Sequence, residues 1–122
     1  MREERRKHTR YTPSEKAYAV FRPGFETMGR VMDISQGGVS FEYLSSIDQN
    51  GAKASMDLFL MDTDFRLTQV PCQVAYDHLI SQGRTTGKGM ALRRCAVMFK
   101  DLDEYQQRQL GFFLRNYVGG EA

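Results

Sequence analysis

The chain has 122 residues, of which 41% are hydrophobic and 26% charged, with a net charge of +2. That length suits one domain able to bury roughly two thirds of the surface its unfolded form exposes, and the composition is not that of a disordered or membrane protein. No stretch approaches the ~20 apolar residues of a membrane span, and no apolar segment follows the charged start to act as a secretion signal, so a cytoplasmic protein without a membrane span is expected.

The basic surplus sits at the beginning. In MREERRKHTR, Arg2, Arg5, Arg6, Lys7 and Arg10 outweigh Glu3 and Glu4, giving +3 and leaving −1 for all the rest. With so little apolar material to bury, residues 1–13 read as a flexible basic arm awaiting an anionic partner. Residues 14–122 read as a single folded domain without repeats. Its first strand is KAYAVFRP (Lys16 to Pro23), stopped by Pro23-Gly24. TMGRVMDIS (Thr27 to Ser35) is a second, closed by Gly37-Gly38. GVSFEY alternates, with Val39, Phe41 and Tyr43 on one face and Ser40 and Glu42 on the other. Ser45 to Lys53 is a polar loop with an Asn50-Gly51 turn.

ASMDLFLM (Ala54 to Met61) resumes the apolar pattern. RLTQVPCQVAY follows, with Val70, Cys72, Val74 and Tyr76 on one face and Pro71, Gln73 and Ala75 on the other. Pro71 cannot donate a ladder hydrogen bond and argues for an edge or a bulge. SQGRTTGKG (Ser81 to Gly89) is a glycine-punctuated loop. Its GRTTGKG core lacks the four-residue spacing, the Ser or Thr after lysine and the helix that a phosphate-binding loop requires. MALRRCAVMFK (Met90 to Lys100) is the last strand. The period then changes, with Leu110, Phe113, Leu114 and Tyr117 forming a helical stripe. Asp101 and Glu104 have capping-box spacing and Gly119-Gly120 supplies a stop, so a helix is expected over about 103–118. Six strands and one helix suggest a mainly β fold, a six-stranded antiparallel β-barrel with a C-terminal α-helix.

Catalysis and metal chemistry find little support. Cys72 and Cys95 lie in apolar strands without Cys-x-x-Cys spacing, and His8 and His78 are isolated, so no metal site, no catalytic residues and no cofactor are expected. Ser35 has no histidine at predictable reach, and the acidic residues are scattered.

The informative stretch is DISQGG. Asp33 and Ser35, two apart in a strand, project from one face, and Gly37 and Gly38 let the backbone turn and approach a ligand. Arg6 and Arg10 are four apart, and a guanidinium fork matches both a phosphate and the O6/N7 edge of guanine. A ligand carrying phosphates and guanines would be gripped by the arginines while Asp33 accepts from a base N–H edge.

The two motifs in this order on this kind of barrel resemble the PilZ domain family, whose pattern is Arg-x-x-x-Arg on an arm followed by Asp/Asn-x-Ser-x-x-Gly. Here these are RKHTR (Arg6 to Arg10) and DISQGG (Asp33 to Gly38), and VSF (Val39 to Phe41) looks like the family's next strand. The resemblance covers nearly the whole chain and implies a receptor for the bacterial second messenger cyclic di-GMP. It implies that Arg6 and Arg10 bind phosphate and guanine, and that Asp33, Ser35 and Gly38, with Gly37 beside them, hold the other side of a guanine. Arg2 and Arg6 share the four-residue spacing, but a basic residue commonly follows the family's first motif arginine, as Lys7 follows Arg6. Arg5, just before the motif, would favour a stacked ligand dimer of doubled charge. Ala96 stands where many members have glycine, a departure expected to affect strand packing more than the ligand.

With no catalytic or DNA-binding domain in view, output is expected through a changed surface offered to an unidentified protein partner. Two other readings remain: a ligand-free adaptor of the same fold, or a nucleic-acid-binding barrel. The latter wants aromatics interleaved with basic residues on a strand face. Here the aromatics follow core alternation, so no nucleic acid is expected.

Overall fold

The structure, a computed structural model, describes residues 8–14, 16–22, 27–45, 53–81 and 91–122. Arg5 and Arg6, the Pro23-Gly24 and Asn50-Gly51 turns and most of the loop ending at Gly89 lie outside the described residues. The strands are β1 (Tyr11–Pro13), β2 (Ala17–Arg22), β3 (Thr27–Ile34), β4 (Gly38–Ser45), β5 (Lys53–Leu60), β6 (Arg66–Ser81) and β7 (Ala91–Phe99). The helix α1 (Glu104–Asn116) and a last strand β8 (Val118–Glu121) complete the chain.

Six strands form a closed antiparallel barrel in the order β2-β5-β6-β7-β4-β3, with β3 pairing back onto β2. The alternation read in GVSFEY holds: Val39, Phe41 and Tyr43 are buried. They join Phe21, Ile34, Met56, Leu58, Leu67 and Val70 in one core. Closure leaves every strand of the ring with two neighbours, which removes the exposed edges that a flat sheet would present.

Two short strands lie outside the ring. β1 pairs with β3 at Tyr11↔Ile34 and with β8 at Tyr11↔Glu121 and Thr12↔Gly120. The end of the basic segment is therefore held by backbone ladders, which carry no hydrophobic period for the sequence to display. Ser14 N donates to Tyr117 O at 2.8 Å and Ala122 N donates to Arg10 O at 2.9 Å, extending the same clasp on both sides.

The helix starts at a different cap from the one its sequence suggests. Asp103, with φ −76° and ψ 176°, is the N-cap: its carboxylate accepts from Gln106 N, while the Gln106 side chain accepts from Asp103 N. Asp101 has φ 48°, outside the extended backbone an N-cap adopts, so the Asp101/Glu104 spacing is coincidental. Leu110 and Phe113 of the expected stripe are buried, and Leu114 and Tyr117 are partly buried. Phe113 packs its ring against Phe65, with centroids 5.3 Å apart.

β6 runs for 16 residues and departs from regular pairing three times. Against β5, Thr68 and Gln69 face Asp57 alone. Against β7, Ala75 and Ile80 are extra residues. Gln69 takes φ 53° at the first bulge; Gln106 Nε2 donates to the carbonyls of Thr68 and Gln69, at 3.1 Å each, pinning the helix there. Pro71, two residues on, lies outside that bulge and pairs regularly with Ser55. Its carbonyl accepts from Lys100 N at 2.8 Å just past the end of β7, so its missing N–H falls where that ladder has ended, which is the edge expectation and not the bulge.

Cys72 and Cys95 are buried free thiols. Burial lifts Cys72 up to about 11; burial, with the charge of Asp77, lifts Cys95 up to about 12. Tyr43 is raised too, by burial and by its hydrogen bond to Asp77. All three groups lose their protons at lower pH when unfolded than when folded. Their contribution to stability is intact below the unfolded values and declines as pH rises from about 9 toward the folded ones. Urea midpoints should therefore fall between about pH 8.5 and about pH 10.5, and less steeply in a Cys72→Ala/Cys95→Ala variant. Equal slopes would show that the thiols are not coupled to folding.

Candidate functional site

The cavity that gathers the motif residues lies on the outer surface of the barrel, floored by one cross-strand row. Tyr76 of β6 lies opposite Ala96 of β7. Ala96 lies opposite Ser40 of β4, and Ser40 opposite Asp33 of β3. Four residues far apart in sequence thus stand side by side, the spacing at which cross-strand side chains touch. The cavity of about 540 Å³ above this row is also bordered by Arg10, Ser35, Gly37, Gly38 and Lys100. Of the residues singled out from sequence, Arg10, Asp33, Ser35, Gly37 and Gly38 come together here, and Arg5 and Arg6 lie outside the described residues.

Asp33 and Ser35 reach this cavity by a route other than strand alternation. Met32 is an extra residue between the pairs Val31↔Phe41 and Asp33↔Ser40, so β3 bulges just before Asp33. The strand ends at Ile34, leaving Ser35 in the turn. Its hydroxyl accepts from Gly37 N at 3.0 Å, and its backbone N donates to Gly38 O at 2.9 Å. Ser35 therefore shapes the loop from within, as short hydroxyl side chains do where a strand closes.

The glycines answer to their neighbours. A Cβ on Gly38 would stand 2.2 Å from the carbonyl oxygen of Val97 on β7, a backbone atom that cannot step aside. A Cβ on Gly37 would come within 2.7 Å of the His8 ring, which rests on the loop at that point. Gly37 also accepts from Phe99 N at 2.9 Å, tying the loop to the end of β7. The motif is thus partly a folding device: it seats the β3–β4 turn against β7 with no side chain in between.

Tyr76 and Lys100 were not legible in the sequence as site residues. Simple alternation puts Tyr76 in the core with Val74. The extra residue Ala75 reverses the face, so Tyr76 turns outward, 36% exposed, and Asp77 turns inward, 4% exposed. Nothing in VAYD signals that bulge. Tyr76 stacks on His78 with ring centroids 5.0 Å apart and an interplanar angle of 18°. Ala96 lies in the floor of the cavity and not in the core, so its methyl group borders that space.

The next outward row is charged. Arg94 lies opposite Glu42 and its Nη2 donates to Glu42 Oε2 at 2.6 Å. Between these two outward rows, on the inner face, Asp77 Oδ1 accepts from Arg93 Nε at 2.8 Å, and its other oxygen accepts a short hydrogen bond from Tyr43. Arginine and lysine therefore oppose one carboxylate, Asp33, around a cavity with a tyrosine ring in its floor. That set can hold a polyanion through its cations and a base through the carboxylate and the ring.

The profile of the PilZ domain matches residues 4–116. No curated protein matches the chain. Among solved structures it resembles the PilZ domain with c-di-GMP of YcgR from Escherichia coli, at 14% identity and a TM-score of 0.65 over 88% of this chain and 87% of that one. It also resembles the MrkH–c-di-GMP complex of K. pneumonia, at 19% identity and 0.62 over 93% and 52%. The inhibitor of motility MotI/DgrA of Bacillus subtilis matches at 15% identity and 0.61 over 94% and 52%. The chain spans about half the length of the last two, and at these identities the likeness is one of fold. With the profile matched along nearly its whole length and the same closed barrel carrying one helix, the chain belongs to the PilZ domain family.

Proposed function

We propose that the protein is a cytoplasmic receptor for cyclic di-GMP that signals by binding and not by turnover. The observation that carries this reading is the convergence of Arg10, Asp33, Ser35, Gly37 and Gly38 on one cavity. Its volume, about 540 Å³, is within the roughly 300–1,000 Å³ of small-molecule sites. The solved relatives YcgR and MrkH hold c-di-GMP.

In this reading Arg10, with Arg6 from the arm, grips a phosphate and the O6/N7 edge of a guanine. Asp33 accepts from the N1–H and N2–H of a guanine, and Tyr76 offers a ring for a base to stack on, worth about 1–3 kcal/mol. Ser35, Gly37 and Gly38 hold the loop so that Asp33 faces the space. Any backbone fixed on binding costs roughly 1–2 kcal/mol per residue, which the arginine contacts must exceed. The arm and cavity rim then form a new surface for a protein partner.

Calorimetric titration with cyclic di-GMP, with GMP and cyclic di-AMP as controls, tests this. Selective binding at micromolar Kd or tighter, about −8 kcal/mol, is the expected result. Absence of heat together with an unshifted Tm would leave the protein an adaptor without ligand. Steep salt dependence and indifference to the base would mark a nucleic-acid binder. Two ligands per chain are expected if Arg5 supports a stacked dimer; one per chain removes that role from Arg5.

A further inference from the structure

Among the described residues two buried side-chain polar atoms have no hydrogen-bond partner, Ser40 Oγ and Arg94 Nε. Ser40 is 3% exposed and borders the cavity. A hydroxyl buried without a partner costs free energy in the folded state, and alanine would fill the same strand position without that cost. Ser40 projects from the outer face of β4, away from core neighbours Val39 and Phe41, directly opposite Asp33. Within the apo protein its hydroxyl is a group poised toward the cavity and unused.

We propose that Ser40 is a specificity-determining contact of this cavity, its hydroxyl donating to guanine O6 while Asp33 accepts from the neighbouring N1–H and N2–H. The inference rests on the cyclic di-GMP reading. Guanine presents an acceptor, O6, beside a donor, N1–H. A hydroxyl beside a carboxylate is the matching order, donor beside acceptor. Adenine presents a donor, its amino group, beside an acceptor, N1, which sets a lone pair against Asp33. Ser40 lies outside the Asp-x-Ser-x-x-Gly pattern, two residues after its last glycine, and pairing across β3 and β4 brings it to the carboxylate.

The test titrates the wild type, Ser40→Ala and Ser40→Cys with cyclic di-GMP and cyclic di-AMP, and records the thermal melt of each without ligand. Cysteine keeps a comparable volume with a much weaker donor. Both variants are expected to bind cyclic di-GMP about fivefold to tenfold more weakly, and Ser40→Ala to melt at or above the wild-type temperature. The opposite directions separate a ligand contact from a structural one. Wild-type binding retained in both variants overturns the inference and leaves the receptor reading standing. Weaker binding accompanied by a lower melting temperature in both also overturns it, because the hydroxyl then supports the fold. A wild type that binds neither nucleotide overturns the receptor reading and the inference together.

Discussion

Asp77→Ala is expected to cost about 3–5 kcal/mol of folding free energy, the largest stability effect expected of a single polar substitution among the described residues. The Asp77 side chain is fully buried and that of Arg93 is only 15% exposed. The carboxylate takes the Arg93 Nε–H at 2.8 Å on one oxygen and the Tyr43 hydroxyl on the other. Removing it takes a carboxylate partner from a largely buried guanidinium and an acceptor from a buried phenol at once. Single domains are stable by about 5–15 kcal/mol, so the variant should be close to its unfolding threshold. Urea denaturation followed by circular dichroism measures the loss. Asp77→Asn, which keeps an acceptor for Tyr43, should fall between it and the wild type, and a deficit below about 1 kcal/mol for Asp77→Ala would show that this cluster does not hold the strands together.

Arg10→Ala should weaken cyclic di-GMP binding by about tenfold to a hundredfold, from the 1.5–3 kcal/mol of a charge-assisted hydrogen bond. Arg10 borders the cavity, and its carbonyl accepts from Ala122 N, a backbone contact that truncation at Cβ leaves in place. The melting temperature without ligand should accordingly stay near the wild-type value. Asp33→Ala should lose a similar factor for cyclic di-GMP and much less for cyclic di-AMP, because in the proposed reading the carboxylate accepts from the guanine donor edge. Titration of both variants at one salt concentration decides it. Undiminished affinity in Arg10→Ala would mean that the arm does not grip the ligand.

Much of the molecule could be read from residues alone, for identifiable reasons. Strands buried on one face announce themselves: Val39, Phe41 and Tyr43 alternate in sequence and lie in the core. Asp33, Ser35, Gly37, Gly38 and Arg10 could be singled out by residue type and spacing alone, and the fold brings them to one cavity. What stayed hidden was anything decided by one inserted residue. Ala75 exchanges the faces of Tyr76 and Asp77, giving the cavity its ring and the interior its charge, and a strand with a bulge has the same composition as one without. Met32 does the same on a smaller scale beside Asp33. Ser40 could be assigned a face but not a lack of partners, since an orphaned hydroxyl exists only in three dimensions. β1 and β8 were invisible for the opposite reason: they are held by backbone hydrogen bonds and leave no side-chain pattern.

The pairing of β1 with β8 makes the last residues of the chain a handle on the arginine arm. Arg10 O and Ala122 N share one hydrogen bond, and two ladder positions later Thr12 still faces Gly120. Whatever grasps the segment after the helix, whether a reader protein, a fused reporter or an affinity tag, therefore pulls on the residue proposed to meet the nucleotide. If the proposed receptor reading holds, affinity should be adjustable from that end without touching the cavity, and a fluorophore on residues 118–121 should report ligand capture from outside the cavity lining.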